Sequence, residues 1–168
     1  MKNPSFAAQS RIATPLGPLT LAATAQGLAL AWFDGQAHRS DAVDAPSDPG
    51  HPHLAQAARE FGEYFAGTRR EFGIALDPQG TAFQLRVWQA LRGIAMGRLS
   101  SYGEIARQVG RPAAARAVGA AIGRNPISIV VPCHRVVGRD GSLTGYAGGL
   151  PRKAALLQLE GALPAGAA

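Results

Sequence analysis

One thiol stands among 168 residues, and a histidine follows it directly in Pro132-Cys133-His134-Arg135. A thiol reacts as its thiolate, and a nearby imidazole or helix N-terminus lowers its pKa. His134 is therefore a candidate base, and a carboxylate behind it would fix its tautomer. Between residue 80 and the end of the chain the acids are Glu104, Asp140 and Glu160. Glu160 closes an apolar helix and is the one best placed against a core. Arg116 sits among alanines, where a smooth helix face lets a groove approach a single long cation. Tyr102 and Tyr146 offer rings for stacking on a base and hydroxyls for donation. Asn125 precedes Pro126 at a turn. Each residue also has a plainer use. Cys133 fits an inert buried thiol, His134 a packed core histidine, and Glu160 a solvated helix end. Arg116 fits a phosphate contact, and the tyrosines fit core packing.

Charge and composition narrow the classes. Hydrophobic residues make up 46% and charged residues 17%, enough apolar material for a core and unlike a disordered chain. No apolar run is long enough to cross a bilayer. The start, MKNPSFAAQS, has no apolar stretch of signal-peptide length, so a cytoplasmic protein is expected, nucleoid-associated if bacterial. One cysteine excludes an internal disulfide and a cysteine-cluster metal site. Residues 1–79 hold six Lys/Arg against eight Asp/Glu, whereas residues 80–168 hold eleven against three. The basic half suits a polyanion partner. An arginine-rich codon bias would give the same count.

Elements must then position these residues. Leu19–Ala22 and Leu28–Phe33 read as a hairpin turned at Ala25-Gln26-Gly27. Residues 41–53, DAVDAPSDPGHPH, read as a surface loop. Leu54, Ala58, Phe61 and Phe65 share one helical face that Gly67 ends. Phe72–Leu76 is a third candidate strand, and Asp77-Pro78-Gln79-Gly80 a boundary. Thr81 caps a helix carrying Phe83, Val87 and Leu91. Ser101 caps a short helix through Val109. After Gly110-Arg111, Pro112 suits the first position of an alanine-rich helix reaching Gly123. Two short helices about a glycine turn form a helix-turn-helix pattern. Ile127–Val131 reads as a buried strand and Gly138–Gly149 as a glycine-rich mobile loop. Pro151 opens a last helix with Leu156, Leu157 and Leu159. Residues 162–168 are expected to fray.

The stretch VVPCHRVVGRDGSLTGYAGG, preceded by SYGEIA and AARAVGAAIGRNP and followed by LLQLEG, resembles the O6-alkylguanine-DNA alkyltransferase family. The likeness is close from Phe83 to Gly161. It is looser over SRIATPLGPLTLAAT and EFGEYFAGTRREF. It implies an α+β chain with a small α/β domain over 1–79, ribonuclease H-like, that includes loop 41–53. A mostly helical, winged helix-turn-helix-like DNA-binding and alkyl-acceptor domain follows over 80–168. The resemblance implies Cys133 as alkyl acceptor. His134 is implied as a base working through a water, Glu160 as its support, and Asn125 as a brace. Tyr102 is implied to contact the flipped nucleotide, and Arg116 to enter the stack, with Ala115, Gly119 and Arg135 as further DNA contacts. Tyr102, Val136 through its carbonyl, Tyr146, Ala147 and Gly148 are the implied alkylguanine pocket. The small residues Ala147 and Gly148 suggest room for adducts as large as benzyl.

The implied reaction is irreversible, single-turnover transfer of an alkyl group from O6-alkylguanine in flipped-out duplex DNA to Cys133. O4-alkylthymine is a further candidate substrate. An alkyl group on guanine O6 lies inside the duplex, so the base must be extruded. The product is a thioether, and no cofactor is needed. Double-stranded DNA is the partner, and a monomer with no obligate protein partner and no membrane is expected. Some relatives carry zinc in the first half. Here that half has no cysteine and only His38, His51 and His53 near a loop, so no metal is expected. Where some relatives have serine, this chain has Ala147. Two other readings compete: a non-catalytic helix-turn-helix protein that binds DNA or lesions, and a hydrolase built on Cys133, His134 and Glu160.

Overall fold

The computed structural model describes residues 5–39 and 42–164. Asp41 at the head of the expected loop, and 165–168 of the expected frayed tail, lie outside them. The chain divides into two compact units, Met1–Gln79 and Gly80–Ala168.

The first unit is built on an antiparallel sheet in the order β1 (Ala8–Ile12), β2 (Leu19–Ala23), β3 (Leu28–Phe33). The register sets Leu21 opposite Ala31 and Leu19 opposite Phe33. β2 and β3 form the expected hairpin, with a register shift at Ala22/Ala23. Every residue of β3 is buried. Its continuous apolar sequence, LALAWF, follows from being covered on both faces. On one face Ala22, Leu30 and Trp32 pack with Phe6 and Val43. The opposite face presents Leu19, Leu21, Ala31 and Phe33 to the helix α1 (Pro52–Phe65). The loop before α1 is tied down rather than merely superficial. Gln9 Nε2 donates to the carbonyls of Val43 and Ala45, both at 2.7 Å.

Two expectations shift here. The buried stripe of α1 is Leu54, Ala57, Phe61 and Tyr64, so Ala58 and Phe65 turn partly outward. Glu60 joins the buried side because Arg69 pairs with it at 2.8 Å and Gly73 N–H donates to it at 2.7 Å. Phe72–Leu76 is not a strand. It makes one parallel bridge, Leu28 with Leu76. Glu60 holds its start, and Pro78 at its end has no N–H to extend a ladder.

The second unit is mainly helical: α2 (Ala82–Arg92), α3 (Tyr102–Gln108), α4 (Ala115–Gly123) and α5 (Leu150–Leu159). Thr81 and Gln84 form a reciprocal capping box at α2. Trp88 Nε1 donates to the Ala121 carbonyl at 2.8 Å and so ties α2 to α4. Two very short strands, β4 (Ser100–Ser101) and β5 (Val136–Val137), pair in parallel. They fasten the start of α3 to the chain just beyond Cys133-His134-Arg135. Two-residue strands carry no readable periodicity. Pro112 lies in the turn ahead of α4, whose first residue is Ala115.

Gly27 has a definite packing role. A Cβ there would stand 2.5 Å from the Ala75 carbonyl oxygen, whereas at Gly62 it would meet nothing within 4 Å. Gly27→Ala is therefore expected to cost about 1–3 kcal/mol in urea unfolding. Gly62→Ala, mid-helix in α1, is expected to be neutral or stabilising by up to about 1 kcal/mol. Equal effects at the two sites would refute the close-approach account.

Candidate active site

Residues 127–131 do not form the expected strand. They fold as a tight buried turn bridged from Ser128 to Val131, with Ile129 at φ +74°. A β-branched run has strand propensity, but Asn125 supplies the hydrogen bonds in place of a ladder. Its Nδ2 donates to the Val131 carbonyl at 2.8 Å, and its Oδ1 accepts from Ile127 N–H at 3.0 Å. Asn125 is 2% exposed, so these bonds form out of water, where losing either is costly. The turn delivers the chain to Pro132 and to a single 3-10 turn, Cys133–Arg135.

Cys133 and His134 are both buried in that turn. His134 Nε2 lies 2.8 Å from Glu160 Oε2. Arg135 binds the same carboxylate, Nε to Oε1 at 2.8 Å and Nη2 to Oε2 at 3.0 Å. Burial alone would raise the Glu160 pKa. The hydrogen bonds from His134 and Arg135 outweigh it and hold the carboxyl at about 2. Burial pushes the His134 pKa below its ordinary value, against the pull of Glu160. The ring is thus neutral near pH 7. With an ionised carboxylate at Nε2, the proton sits on Nε2 and the lone pair on Nδ1. Nδ1 is buried and has no hydrogen-bond partner among the described residues. Cys133, His134, Asn125 and Glu160 are therefore brought together as one buried assembly.

Tyr102 stands at the first position of α3, and its hydroxyl donates to the Thr144 carbonyl at 3.0 Å. Gly119 of α4 lies beneath its ring, at a distance where a Cβ would touch Cδ1 at 3.8 Å. Arg116 and Ala115 lie on the exposed face of α4, with Val118, Ala121 and Ile122 turned inward. Among the described residues no group of three or more His, Cys, Asp or Glu is placed to hold a metal ion.

Two family models match the chain. One is described as 6-O-methylguanine DNA methyltransferase, DNA binding domain, over residues 82–162. The other is its ribonuclease-like domain, over residues 9–78. The chain belongs to the 6-O-methylguanine DNA methyltransferase family. It is 50% identical over 149 residues to the methylated-DNA–protein-cysteine methyltransferase of Mycobacterium tuberculosis strain H37Rv, covering 89% of each chain. It is 44% identical over 164 residues to that of Salmonella typhimurium, covering 92% of this chain and 96% of that one. The crystal structure of Mycobacterium tuberculosis OGT in complex with DNA superposes with a TM-score of 0.85 at 49% identity, covering 92% of each chain.

In this methyltransferase-family chain Arg135 is not a surface cation. It is 7% exposed, and beyond its two bonds to Glu160 its Nη1 donates to the Ile94 carbonyl at 2.6 Å. An arginine so committed cannot reach a phosphate, which removes it from the expected DNA contacts. Gly148 also differs from expectation. A Cβ there would stand 2.8 Å from Cε1 of Tyr146. The space left by the missing side chain is filled by the Tyr146 ring and is not room for a larger adduct.

Lys153 is the residue that sequence reasoning missed. It is fully buried in α5, and its Nζ donates to the carbonyls of Val136, Thr144 (2.9 Å) and Gly145 (3.2 Å). Burial lowers its pKa to about 8, and the Cys133 charge opposes that shift. A readable signal existed: Lys153 precedes Leu156 and Leu157 by three and four positions, on their buried face. Lys153 fixes the Val136 carbonyl and the loop carrying Tyr146, so that loop is anchored rather than mobile. The Tyr146 hydroxyl is buried, and burial and the Cys133 charge both raise its pKa well above the ordinary value. It stays protonated.

The sign of the Glu160 shift gives a test. A carboxyl held at about 2 against 4.5 adds stability above pH 4.5, lost as pH falls toward 2. A histidine pushed below 6.5 adds stability that is full above pH 6.5 and fades beneath it. Urea unfolding from neutral pH down to about 3 is expected to show both losses. Glu160→Gln is expected to cost about 3–5 kcal/mol at neutral pH, because Arg135 is left buried and unpaired. That variant is expected to lack the lower loss. An unchanged acid profile in the variant would contradict the assignment.

Proposed function

We propose that this chain is a DNA repair protein that takes the alkyl group from O6-alkylguanine in duplex DNA onto its own Cys133. The observation that carries the reading is the buried assembly of Cys133, neutral His134 and ionised Glu160. It sits in the basic half of a family member half-identical to methylated-DNA–protein-cysteine methyltransferases. His134 Nδ1 holds the only lone pair on the ring and receives the Cys133 proton, through a water as the resemblance implies. The Nε2–H bond to Glu160 stabilises the imidazolium that results. The thiolate then attacks the alkyl carbon. The S–C bond forms, the C–O6 bond breaks with its electron pair going to O6, and the proton held on His134 returns through water to the departing guanine. A thioether does not exchange with thiols, so each molecule acts once. O4-alkylthymine presents the same O-alkyl carbon and is proposed as a slower substrate.

DNA is the partner, engaged by residues 80–168 through a winged helix-turn-helix made by α3, α4 and the strands β4 and β5. The first unit, 1–79, is proposed as a ribonuclease H-like domain that carries none of the transfer chemistry. α4 presents Ala115, Arg116 and small neighbours, a face that presses into a groove and leaves Arg116 to fill the gap of the extruded base. Tyr102 and Gly119 border the extruded nucleotide, while the Val136 carbonyl, Tyr146, the Ala147 backbone and Gly148 wall the guanine. The protein is proposed to act as a monomer on cytoplasmic DNA, in the nucleoid if the source is bacterial. The alternative is a lesion binder without chemistry.

Intact mass after mixing with a methylated duplex separates the two. The expected result is one methyl per protein, located on Cys133, with no second turnover. Retained lesion binding with unchanged mass would sink the transfer reading. Arg116→Ala is expected to slow transfer by about ten- to a hundredfold, since flipping costs a few kcal/mol, while weakening binding to undamaged DNA far less. Equal losses would count against insertion into the stack.

A further inference from the structure

The chain reaches Cys133 through two three-residue bends. Val130 N–H donates to the Ser128 carbonyl at 2.9 Å, closing a bend centred on Ile129 at φ +74°. Cys133 N–H donates to the Val131 carbonyl at 2.8 Å, closing a second bend centred on Pro132 at φ −84° and ψ 64°. The two have opposite hands. The bend at Pro132 is the common, relaxed form, and the bend at Ile129 is the rare, strained one. A β-branched side chain in the left-handed region is an outlier. Among the described residues only His38 and Ile129 take a positive φ without being glycine, and His38 is exposed. Nine glycines supply that conformation elsewhere. At Ile129 the side chain is 1% exposed, so burial enforces a backbone shape that the residue type resists. The path from there to the thiol is short. Val131 N–H donates to the Ile127 carbonyl at 3.1 Å, and the Val131 carbonyl carries both Asn125 Nδ2 and the Cys133 N–H. A relaxed φ at residue 129 would move the carbonyl from which Cys133 hangs.

We propose that Ile129 is a positioning residue for the alkyl acceptor: its buried side chain clamps the left-handed bend that aims Cys133 Sγ along the line of the breaking C–O6 bond. The inference rests on the alkyl-transfer reading above. Displacement at carbon requires the sulfur to approach opposite the departing oxygen, so a small error of aim costs rate while lesion binding survives. The bend needs two separable things at residue 129: a positive φ and, for any residue but glycine, an anchor that enforces it. Alanine removes the anchor and keeps a Cβ that resists the left-handed region. Glycine removes still more of the side chain but takes a positive φ freely.

Three quantities test this in the wild-type protein, Ile129→Ala and Ile129→Gly: the single-turnover rate at saturating O6-methylguanine duplex, the affinity for that duplex, and the urea midpoint. Ile129→Ala is expected to slow transfer about tenfold, the scale of a misplaced reacting atom, with little change in affinity. Ile129→Gly is expected to restore most of the lost rate. It is also expected to unfold at higher urea than the alanine variant, the reverse of the ordinary order of these two residues. A side chain that only fills the core gives the opposite pattern, because glycine leaves the larger hole. An alanine variant as fast as wild type, or a glycine variant no faster than the alanine one, would overturn the proposal. Should either variant fail to fold, backbone scalar couplings of Ile129 in the folded wild-type protein decide. They are expected to report a positive φ, and a negative φ would overturn the proposal. Absence of methyl transfer in the wild type would instead overturn the reading on which it rests.

Discussion

The Glu160 carboxylate is the contact from which the site is built. One oxygen takes His134 Nε2 and Arg135 Nη2, and the other takes Arg135 Nε. An anion this deeply buried is tolerable only when paired and hydrogen-bonded. Here the partner cation and the polarised ring come from adjacent residues of one 3-10 turn. That economy sets the position of Cys133. The turn cannot rotate without stripping Glu160 of its partners, so the thiol preceding His134 is held in one orientation. The same contact docks the end of α5 against that turn, which in turn sets Lys153, about two turns back in the same helix, beneath the Val136 carbonyl.

Charge is arranged around the sulfur in graded fashion. Arg135 is close but neutralised by Glu160. The Cys133 charge bears on Lys153, whose ammonium is turned to three carbonyls. In the proposed transfer His134, kept neutral by burial, accepts a proton and is charged only while the reaction proceeds.

How far the chain was readable depends on the kind of signal. Thr81 and Ser101 announced their helices because a cap is a local hydrogen bond that needs only its own sequence. The β2–β3 hairpin was readable for the same reason. In the stripe of α1, Leu54 and Phe61 were read correctly, and Ala58 and Phe65 one residue off. Phe65 and Tyr64 are both aromatic, and only the sheet decides which one turns inward. Ile127–Val131 looked like a strand because propensity does not know that Asn125 will satisfy its backbone. Arg135 was expected as a DNA contact on the family resemblance. Its burial rests on Glu160, twenty-five residues away, and no local pattern contains that pairing. The family blocks carried the identity of the site residues, whereas composition carried only a basic half and a single thiol.

In the proposed single-turnover reaction, a rigid acceptor and an open, small-faced helix belong together. An enzyme that turns over must let its product group leave, so its nucleophile needs a path to solvent. In the proposed reaction the alkyl group stays on the sulfur, so Cys133, 6% exposed, needs no such path. Burial then becomes an advantage, since it keeps small electrophiles and oxidants from consuming the only thiol before a lesion arrives. The cost is that the substrate must be brought to the sulfur, which a duplex does not permit without extrusion. α4, with alanines at its exposed face and one arginine, is suited to that task because it has almost no bulk to keep a groove at a distance. On the proposed function the two features require each other: a buried acceptor is useful only beside a surface that can open DNA, and that surface is harmless only when the extruded base meets a site already fixed by Glu160.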